Sequence, residues 1–198
     1  MDARLFQQAA ATLAASLSDD PFYQAITVDS AVDTEARTRL LTQYFDYSLR
    51  EAQRTGRCTL HAEPAVGAAA WLLPRNPETD ATERSAKAAY LTQLLGTWGW
   101  ENYCRIMAFM SGRSEGLVSR DAWYLTIIGV HPTSQGRGIG GELLRPTLEE
   151  ATRTGAHSFL ETFRPRSVAF YERAGFARVA EFVEPTTRAP YVLMRRPP

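Results

Sequence analysis

The segment from Thr126 to Leu144, TIIGVHPTSQGRGIGGELL, constrains the fold of this chain more than any other. Its β-branched start, up to Val130, is typical of a buried strand, and Pro132 marks a polar bend. Four glycines then occur within the six residues 136–141, before leucines with helical spacing. Each glycine inside a helix costs roughly 0.8–1 kcal/mol relative to alanine, so helix propensity does not explain them. The segment predicts a strand, a glycine-rich loop and a helix in direct succession.

The glycine-rich loop has the properties of an anion-binding site. Glycines at a helix start leave several backbone N–H groups without helical partners and let a ligand approach the main chain closely. Those donors, together with the helix dipole, suit a phosphate or diphosphate group. Arg137 adds a positive charge within the loop. We therefore interpret the segment as an anion-binding loop rather than a plain turn.

Two kinds of phosphate site can be compared with this loop. Gly136, Gly138 and Gly141 match the G-x-G-x-x-G pattern of dinucleotide sites, and Glu161 lies 20 residues beyond Gly141. Against that interpretation, five residues separate the strand from the first glycine, and too little chain follows for a doubly wound sheet. A nicotinamide-dependent reductase stays an alternative. A P-loop is excluded because no Gly-Lys-Ser/Thr follows.

Two motifs resemble those of a known family. The pattern Val130-x-Pro132-x-x-Gln135-Gly136-x-Gly138-x-Gly140 resembles the acetyl-CoA loop of the GNAT N-acetyltransferases. The resemblance continues in the segment FYERAGF, residues 170–176. From residue 122 onward the chain resembles antibiotic-acetylating members in particular, whereas the first three-fifths is similar only in layout. The resemblance implies an α/β fold with a mixed, mostly antiparallel sheet flanked by helices and a helical insertion before the central strand.

The resemblance also implies an activity and a co-substrate. Acetyl-CoA would donate its acetyl group to a primary amine of a small molecule, such as an antibiotic or a nucleoside-like amine. A protein or peptide amine is an alternative acceptor, and a non-catalytic CoA-binding module is a further alternative. The residues expected to bind acetyl-CoA are Ile128, Gly129, Val130, Gln135, Gly136, Arg137, Gly138, Ile139, Gly140, Gly141, Ser167 and Phe170.

Two side chains are the expected catalytic groups. Tyr171 matches the family's usual general acid, and a phenol with a pKa of about 10 can protonate a thiolate whose acid has a pKa of about 8.5. Glu161 ends an apolar strand and is the candidate general base, with a pKa raised by burial. A structural carboxylate is the equal alternative for Glu161. Ser167 stands where many relatives carry Asn, and we expect it to cap the helix and contact the cofactor.

The acceptor pocket is the least defined part of the prediction. In this fold it lies opposite the CoA groove, between the first helices and the central insertion. Aromatic side chains could line it, although aromatics at helical spacing are usually core residues. The candidates are Tyr44, Phe45, Trp98, Tyr103, Trp123 and Tyr124.

The remaining elements follow from hydrophobic periodicity and turn residues. Helices are predicted over 3–17, 34–54, 82–95, 98–110 and 167–174, with polar segments at 75–80 and 111–114. Strands are predicted over 57–62, 66–73, 157–162, 176–183 and 191–195. Pro146 is expected to disturb the helix after the glycine loop, and Gly155 to cap it. The strand with which this fold usually opens is expected to be missing or very short.

These elements predict a single domain in three parts. N-terminal helices occupy 1–56, the helical insertion 78–120, and the acetyl-CoA-binding and catalytic half 122–198. Arg and Lys together number 22, as do Asp and Glu, so no general nucleic-acid or membrane surface is expected. Cys58 and Cys104 are far apart and form no Cys/His cluster, which argues against a metal site. No signal peptide is recognisable, and we expect a cytoplasmic monomer or homodimer.

Overall fold

The computed structural model describes residues 3–63 and 65–198, which form alternating helices and strands. The helices are α1 (Ala3–Leu17), α2 (Pro21–Ile26), α3 (Thr34–Thr55), α4 (Pro77–Ser114), α5 (Ile139–Thr154) and α6 (Val168–Arg173). The strands are β1 (Gly56–Leu60), β2 (Gly67–Leu72), β3 (Trp123–Val130), β4 (Ser158–Thr162), β5 (Ala177–Val183) and β6 (Pro190–Arg196).

The strands form one sheet in the order β1-β2-β3-β4-β6-β5. Only β3 and β4 pair in parallel, and the other neighbours are antiparallel. Helices cover both faces, because α1 to α4 pack into one hydrophobic cluster and α5 and α6 into another. The mixed, mostly antiparallel sheet and the long helix before the central strand confirm the predicted fold class.

The helix patterns position these layers on the sheet. α1 buries Phe6, Ala9 and Leu13, which follow its amphipathic spacing. α5 buries Leu143, Leu144 and Leu148 on the opposite face of the sheet. The first element in the described part of the chain is α1, and no strand precedes it there.

A bulge in β3 determines where the sheet opens. Ala70 pairs with Ile127 and Trp71 with Leu125, so Thr126 is an extra residue on β3. The Thr126 hydroxyl donates to the carbonyl oxygen of Ala70 at 3.1 Å. Parallel pairing between β3 and β4 ends at the same level, with Leu125 opposite Leu160. Beyond this point β3 continues to Val130 without a partner strand on its β4 side.

The helical insertion differs in its limits from the prediction. The two predicted helices are the two arms of α4, which join at Gly96 with a non-helical φ of 73°. α4 starts at Pro77 because the Asn76 side chain accepts from the N–H of Thr79 at 2.8 Å, a helix cap. The predicted polar segments 75–80 and 111–114 were therefore wrong in part, since α4 continues to Ser114.

The helix after the glycine loop contains the predicted internal proline. α5 continues through Pro146 to Thr154, and Pro146, which has no N–H, cannot donate the helical hydrogen bond to the carbonyl of Glu142. Gly155 follows in the left-handed conformation with φ 72°, as predicted for a C-terminal cap. In the part of the chain that the structure describes, no helix combines the length and apolarity needed to cross a bilayer.

Candidate active site

A cavity of about 1180 Å³ lies where β3 and β4 separate. One side is lined by the unpaired end of β3, the glycine loop and α6, and the other by side chains from α1 to α4. Glu161, at the end of β4, and Tyr171, on α6, both line it. The cavity therefore joins the predicted cofactor loop to both predicted catalytic side chains.

The glycine loop presents unused backbone donors to this cavity. The amides from Gln135 to Gly140 make no hydrogen bond to any residue that the structure describes. Gly136 and Gly138 have φ values of 78° and 83°, and a Cβ on either would meet no atom within 4 Å. Both line the cavity, so their missing side chains leave room for a ligand next to the main chain. This arrangement fits a diphosphate group.

The unpaired end of β3 presents further backbone groups. The N–H of His131 donates to the carbonyl of Val66 at 2.8 Å, which fixes the side that bonds to β2. Because antiparallel pairing alternates along a strand, Ile128 and Val130 direct their N–H groups away from β2, toward the cavity. The Gln135 side chain donates to the Val130 carbonyl at 3.0 Å and ties the loop to the strand.

The other predicted cofactor residues take different positions. Gly129 directs its peptide groups to β2, and a Cβ on it would meet Leu13 at 2.8 Å, so its role there is close packing with α1. Ile139, Gly141 and Phe170 line the cavity. A Cβ on Gly140 would lie 3.0 Å from the Phe170 ring, so this glycine allows α5 and α6 to meet.

Two residues near the loop depart from the prediction in detail. Arg137 is exposed and is not among the cavity-lining residues, so its charge acts from the rim of the loop. Ser167 lines the cavity at the start of α6, but its side chain makes no capping hydrogen bond. The expected helix cap was wrong, and the Ser167 hydroxyl keeps its bonding capacity for the cavity.

Glu161 has the environment of a proton acceptor. Its Oε2 accepts from the Tyr124 hydroxyl at 3.2 Å, whereas its Oε1 is buried without a partner among the described residues. Burial raises the pKa of Glu161 to about 7, and the hydrogen bond from Tyr124 opposes this shift only in part. A carboxylate with this pKa and one free oxygen can accept a proton near neutral pH.

Tyr171 is a buried phenol beside charged groups. It is 9% exposed, and its hydroxyl forms no hydrogen bond within the described chain. Burial raises the pKa of Tyr171, the nearby Asp20 carboxylate raises it further, and Arg164 lowers it. Tyr171 is therefore protonated at neutral pH and able to donate a proton.

Asp20 and Arg164 form a pair that sequence reasoning missed. Both line the cavity, and Arg164 Nε lies 3.4 Å from Asp20 Oδ2. The other Asp20 oxygen accepts from the N–H of Phe22 at 2.9 Å and caps α2. Burial raises the pKa of Asp20 to about 6. Arg164 also pairs with Asp19, which links the first helices to the segment after β4. The Asp20-Pro21 sequence indicated a helix boundary, but nothing in it indicated this partner.

The acceptor side of the cavity is lined by side chains of α1 to α4 and β3. Of the six aromatic candidates, Tyr44, Tyr103 and Tyr124 line the cavity. Phe45 lies in the core, Trp123 packs on the α5 face of the sheet, and Trp98 is 62% exposed. Sequence alone could not separate these two groups, because neighbours such as Tyr44 and Phe45 on α3, or Trp123 and Tyr124 on β3, fall into different groups. The charged side chains Glu51 and Lys87 also line this side and were not predicted.

No group of His, Cys, Asp and Glu suited to a metal ion occurs among the described residues. His131 instead accepts from the N–H of Thr133, as a structural residue does.

Comparisons with known proteins agree with this geometry. Residues 64–176, more than half of the chain, match the model of the acetyltransferase (GNAT) family. The chain belongs to this family, whose members use acetyl-CoA as co-substrate, and it is an N-acetyltransferase.

Individual relatives are more distant. An uncharacterised N-acetyltransferase of Schizosaccharomyces pombe is 24% identical over 181 residues, covering 89% of this chain and 72% of the relative. A solved structure from Corynebacterium glutamicum, described as histone acetyltransferase HPA2 and related acetyltransferase, has a TM-score of 0.66 at 18% identity and covers 100% of this chain and 93% of its own. Arylalkylamine N-acetyltransferase 2 of Aedes aegypti has a TM-score of 0.65 at 12% identity, covering 100% and 96%. At these identities the solved structures support the fold alone.

Proposed function

We propose that this enzyme transfers the acetyl group of acetyl-CoA to the primary amine of a small molecule, with Glu161 as general base and Tyr171 as general acid. The observation that carries this proposal is the single cavity lined by the loop backbone, the free end of β3 and both side chains. Acetyl transfer requires that the diphosphate is held, the thioester carbonyl polarised, the ammonium deprotonated and the departing thiolate protonated, and each of these four tasks then has a group suited to it.

Binding and activation of the thioester are assigned to the main chain. The amides from Gln135 to Gly140 would hold the diphosphate at the start of α5. The N–H groups of Ile128 and Val130 would pair with the pantetheine arm and donate to the thioester oxygen as negative charge develops on it. Ser167 and Phe170 would contact the same arm. Preorganised backbone donors of this kind contribute several kcal/mol to transition-state stabilisation.

The proton transfers are assigned to the two side chains. Glu161 takes a proton from the substrate ammonium, directly or through a water, and leaves a nucleophilic amine. The amine nitrogen attacks the thioester carbonyl carbon, and the carbon–sulfur bond breaks as the amide forms. Tyr171 gives its proton to the departing thiolate and is reprotonated by the second proton that the attacking nitrogen loses as it becomes the amide. One proton is released overall, because the amide keeps one hydrogen of the ammonium and the thiol takes another.

An aromatic or nucleoside-like amine is the proposed acceptor, and antibiotic detoxification the proposed role. The resemblance of the segment from Ala122 onward to antibiotic-acetylating members of the family supports this proposal, and the Aedes aegypti neighbour is named for arylalkylamines. The tyrosines on the acceptor side support an aromatic substrate, since rings pack against rings. The balanced charge and the two free cysteines support a cytoplasmic enzyme that does not act on nucleic acid.

A screen that follows free-thiol release from acetyl-CoA tests the proposal. The panel contains aromatic amines, nucleoside amines, diamines and peptides, and mass spectrometry identifies the acetylated product. We expect N-acetylation of at least one small amine and a rate about 1,000-fold lower with Glu161→Gln at the same enzyme concentration. Binding of acetyl-CoA without any product would support a non-catalytic module, and acetylation of peptides alone would support a protein acceptor. Thermal stabilisation by NAD(H) but not by acetyl-CoA would support a reductase.

A further inference from the structure

A polar cluster on the acceptor side of the cavity has no part in the proposed chemistry. It consists of Glu51 on α3 and Lys87 and Tyr103 on the two arms of α4, all of which line the cavity. Lys87 Nζ donates to Glu51 Oε2 at 2.8 Å, and their side chains are 20% and 4% exposed. Lys87 is the single lysine of the chain. Lysine side chains usually lie on the protein surface, where they favour solubility, so a lysine that lines a cavity is expected to have another role.

The cluster has more hydrogen-bond donors than it uses. The Lys87 ammonium has three N–H donors, and the structure gives it one acceptor, Glu51. The Tyr103 hydroxyl bonds to none of the described residues. It interacts with Lys87, whose charge opposes the burial that raises the pKa of Tyr103. Both residues line the cavity, so these unused donors are available to a ligand that carries a hydrogen-bond-accepting atom.

The charges of the cluster indicate the nature of that ligand. Glu51 offsets the charge of Lys87, and Arg75 Nη1 lies 3.8 Å from the other Glu51 oxygen, outside hydrogen-bond distance. Arg75 does not line the cavity and donates to Asp80 at 2.9 Å, so Lys87 is the cation of the cluster that faces the cavity, and a second ammonium on the substrate would meet it as a like charge. A carbonyl oxygen of the substrate would instead accept from the remaining donors of Lys87 and from the Tyr103 hydroxyl.

We propose that Lys87 and Tyr103 bind a carbonyl oxygen of the acceptor substrate, which makes the substrate class an amine that carries an amide or a carboxylate at a distance from the reacting nitrogen. This inference rests on the proposed function, because the same cavity must hold the amine beside Glu161. Lys87 and Tyr103 determine specificity in this assignment and take no part in the proton transfers.

A set of matched amines tests the assignment. For each chain length the set contains an ω-amino carboxamide, the ω-amino acid, the simple alkylamine and the diamine. We expect kcat/KM for the carbonyl-bearing amine to exceed that for the alkylamine and the diamine by at least about tenfold, because unpaired buried donors penalise the analogue without an acceptor. The ratio of amide to amino acid tells which carbonyl group is preferred.

Two variants separate recognition from a general defect. Tyr103→Phe should lower the ratio of kcat/KM for the carbonyl-bearing amine to kcat/KM for the alkylamine by about five- to tenfold. Lys87→Met should abolish the preference. Tyr47→Phe is the matched control, because the Tyr47 hydroxyl is also unpartnered but does not line the cavity. If the Lys87→Met variant does not fold, the result for Tyr103→Phe alone tests the carbonyl assignment.

The outcomes distinguish this inference from the function on which it rests. Equal kcat/KM for carbonyl-bearing amines and alkylamines in the wild type would overturn the carbonyl assignment and leave acetyl transfer intact. A preference that Tyr103→Phe and Tyr47→Phe change equally would overturn it as well. Acetyl-CoA binding with no acetylation of any amine would instead remove the proposed function.

Discussion

The two sides of the cavity recognise their ligands with different parts of the chain. On the cofactor side, the end of β3 and the loop before α5 present backbone N–H groups, and the glycines present no side chain at all. On the acceptor side, α1 to α4 present tyrosines, carboxylates and a lysine. A bulge at Thr126 creates the first side by freeing one edge of β3, whereas the second side arises from the packing of helices that lie far apart in the sequence.

This difference explains what each side can tolerate. A backbone site depends on conformation, so it persists through many side-chain changes and fails when a glycine is replaced. A site built from side chains keeps its backbone through many substitutions, but each substitution of a lining side chain changes which substrate the site prefers. Variants on the cofactor side should therefore change acetyl-CoA binding, and variants on the acceptor side should change the use of the amine.

Glu161→Gln is the strongest test, because Glu161 lies where the two sides meet. We expect kcat/KM for the amine to fall by about 1,000-fold, the range of a lost general base. In the wild type, the rate should rise with pH through about 7, since Glu161 accepts a proton only when it is ionised. The variant should lose this limb of the pH profile.

The control for Glu161→Gln is Glu181→Gln, which changes an exposed carboxylate on β5. It should leave the rate and its pH profile as they are. Loss of activity in Glu161→Gln with the pH limb retained would mean that Glu161 holds the structure and that another group accepts the proton.

Tyr171→Phe should have the next largest effect. We expect kcat to fall by about 100-fold, because the thiolate then leaves without a proton donor. The Kd of acetyl-CoA should stay nearly unchanged, since the backbone makes most of the proposed contacts. Isothermal titration calorimetry and steady-state kinetics measure the two quantities separately.

Tyr47→Phe is the matched removal of a phenol hydroxyl outside the cavity, and we expect wild-type kinetics from it. An unchanged kcat in Tyr171→Phe would remove Tyr171 from the mechanism and leave it as a packing residue of α6.

The same difference between backbone and side-chain sites determined what could be predicted from the sequence. The cofactor side is one continuous segment with glycines at fixed spacing, so its strand, loop and helix could be predicted together. The freed edge near Ile128 and Val130 followed from the resemblance. Gly129 also lines the cavity, but its peptide groups face β2, so the alternation of the strand leaves the free backbone donors to Ile128 and Val130.

The acceptor side could not be predicted in the same way. Lys87 on α4 meets Glu51 on α3 across 36 residues of sequence, and Arg164 meets Asp20 across a much longer interval. No local pattern encodes such a pair, since each residue also fits an ordinary solvent-facing helix or turn. Tyr44 and Phe45 are adjacent, yet one lines the cavity and the other fills the core. Helix rotation and packing decide this, and neither can be deduced from spacing alone.

Gly138→Ala tests the cofactor side directly. Alanine at a φ of 83° is strained by about 1–2 kcal/mol, and its methyl group would project into the space next to the loop amides. We expect the KM for acetyl-CoA to rise by about tenfold and the KM for the amine to change little.

Gly116→Ala is the control for Gly138→Ala, because Gly116 has nearly the same conformation, with φ 77°, and equal open space, but lies outside the cavity. It should lower the melting temperature by a similar amount without changing either KM. An equal rise in the KM for acetyl-CoA in both variants would assign the effect to stability rather than to the loop.

Asp29→Ala should have the smallest effect and should act on the acceptor side alone. Asp29 Oδ2 accepts from the N–H groups of Trp98 and Gly99, at 3.0 and 3.3 Å, and so caps the second arm of α4 after Gly96. That arm carries Tyr103 and Met107 into the cavity. Loss of a cap costs about 1 kcal/mol, measured as the free energy of unfolding, and a frayed arm would hold these side chains less firmly. We expect the KM for the amine to rise about two- to threefold with no change for acetyl-CoA.

Asp29→Asn keeps a capping oxygen and should restore both the stability and the KM. A change in the KM for acetyl-CoA of the same size would show that the two sides of the cavity are coupled through α4, and the separation between them would then fail.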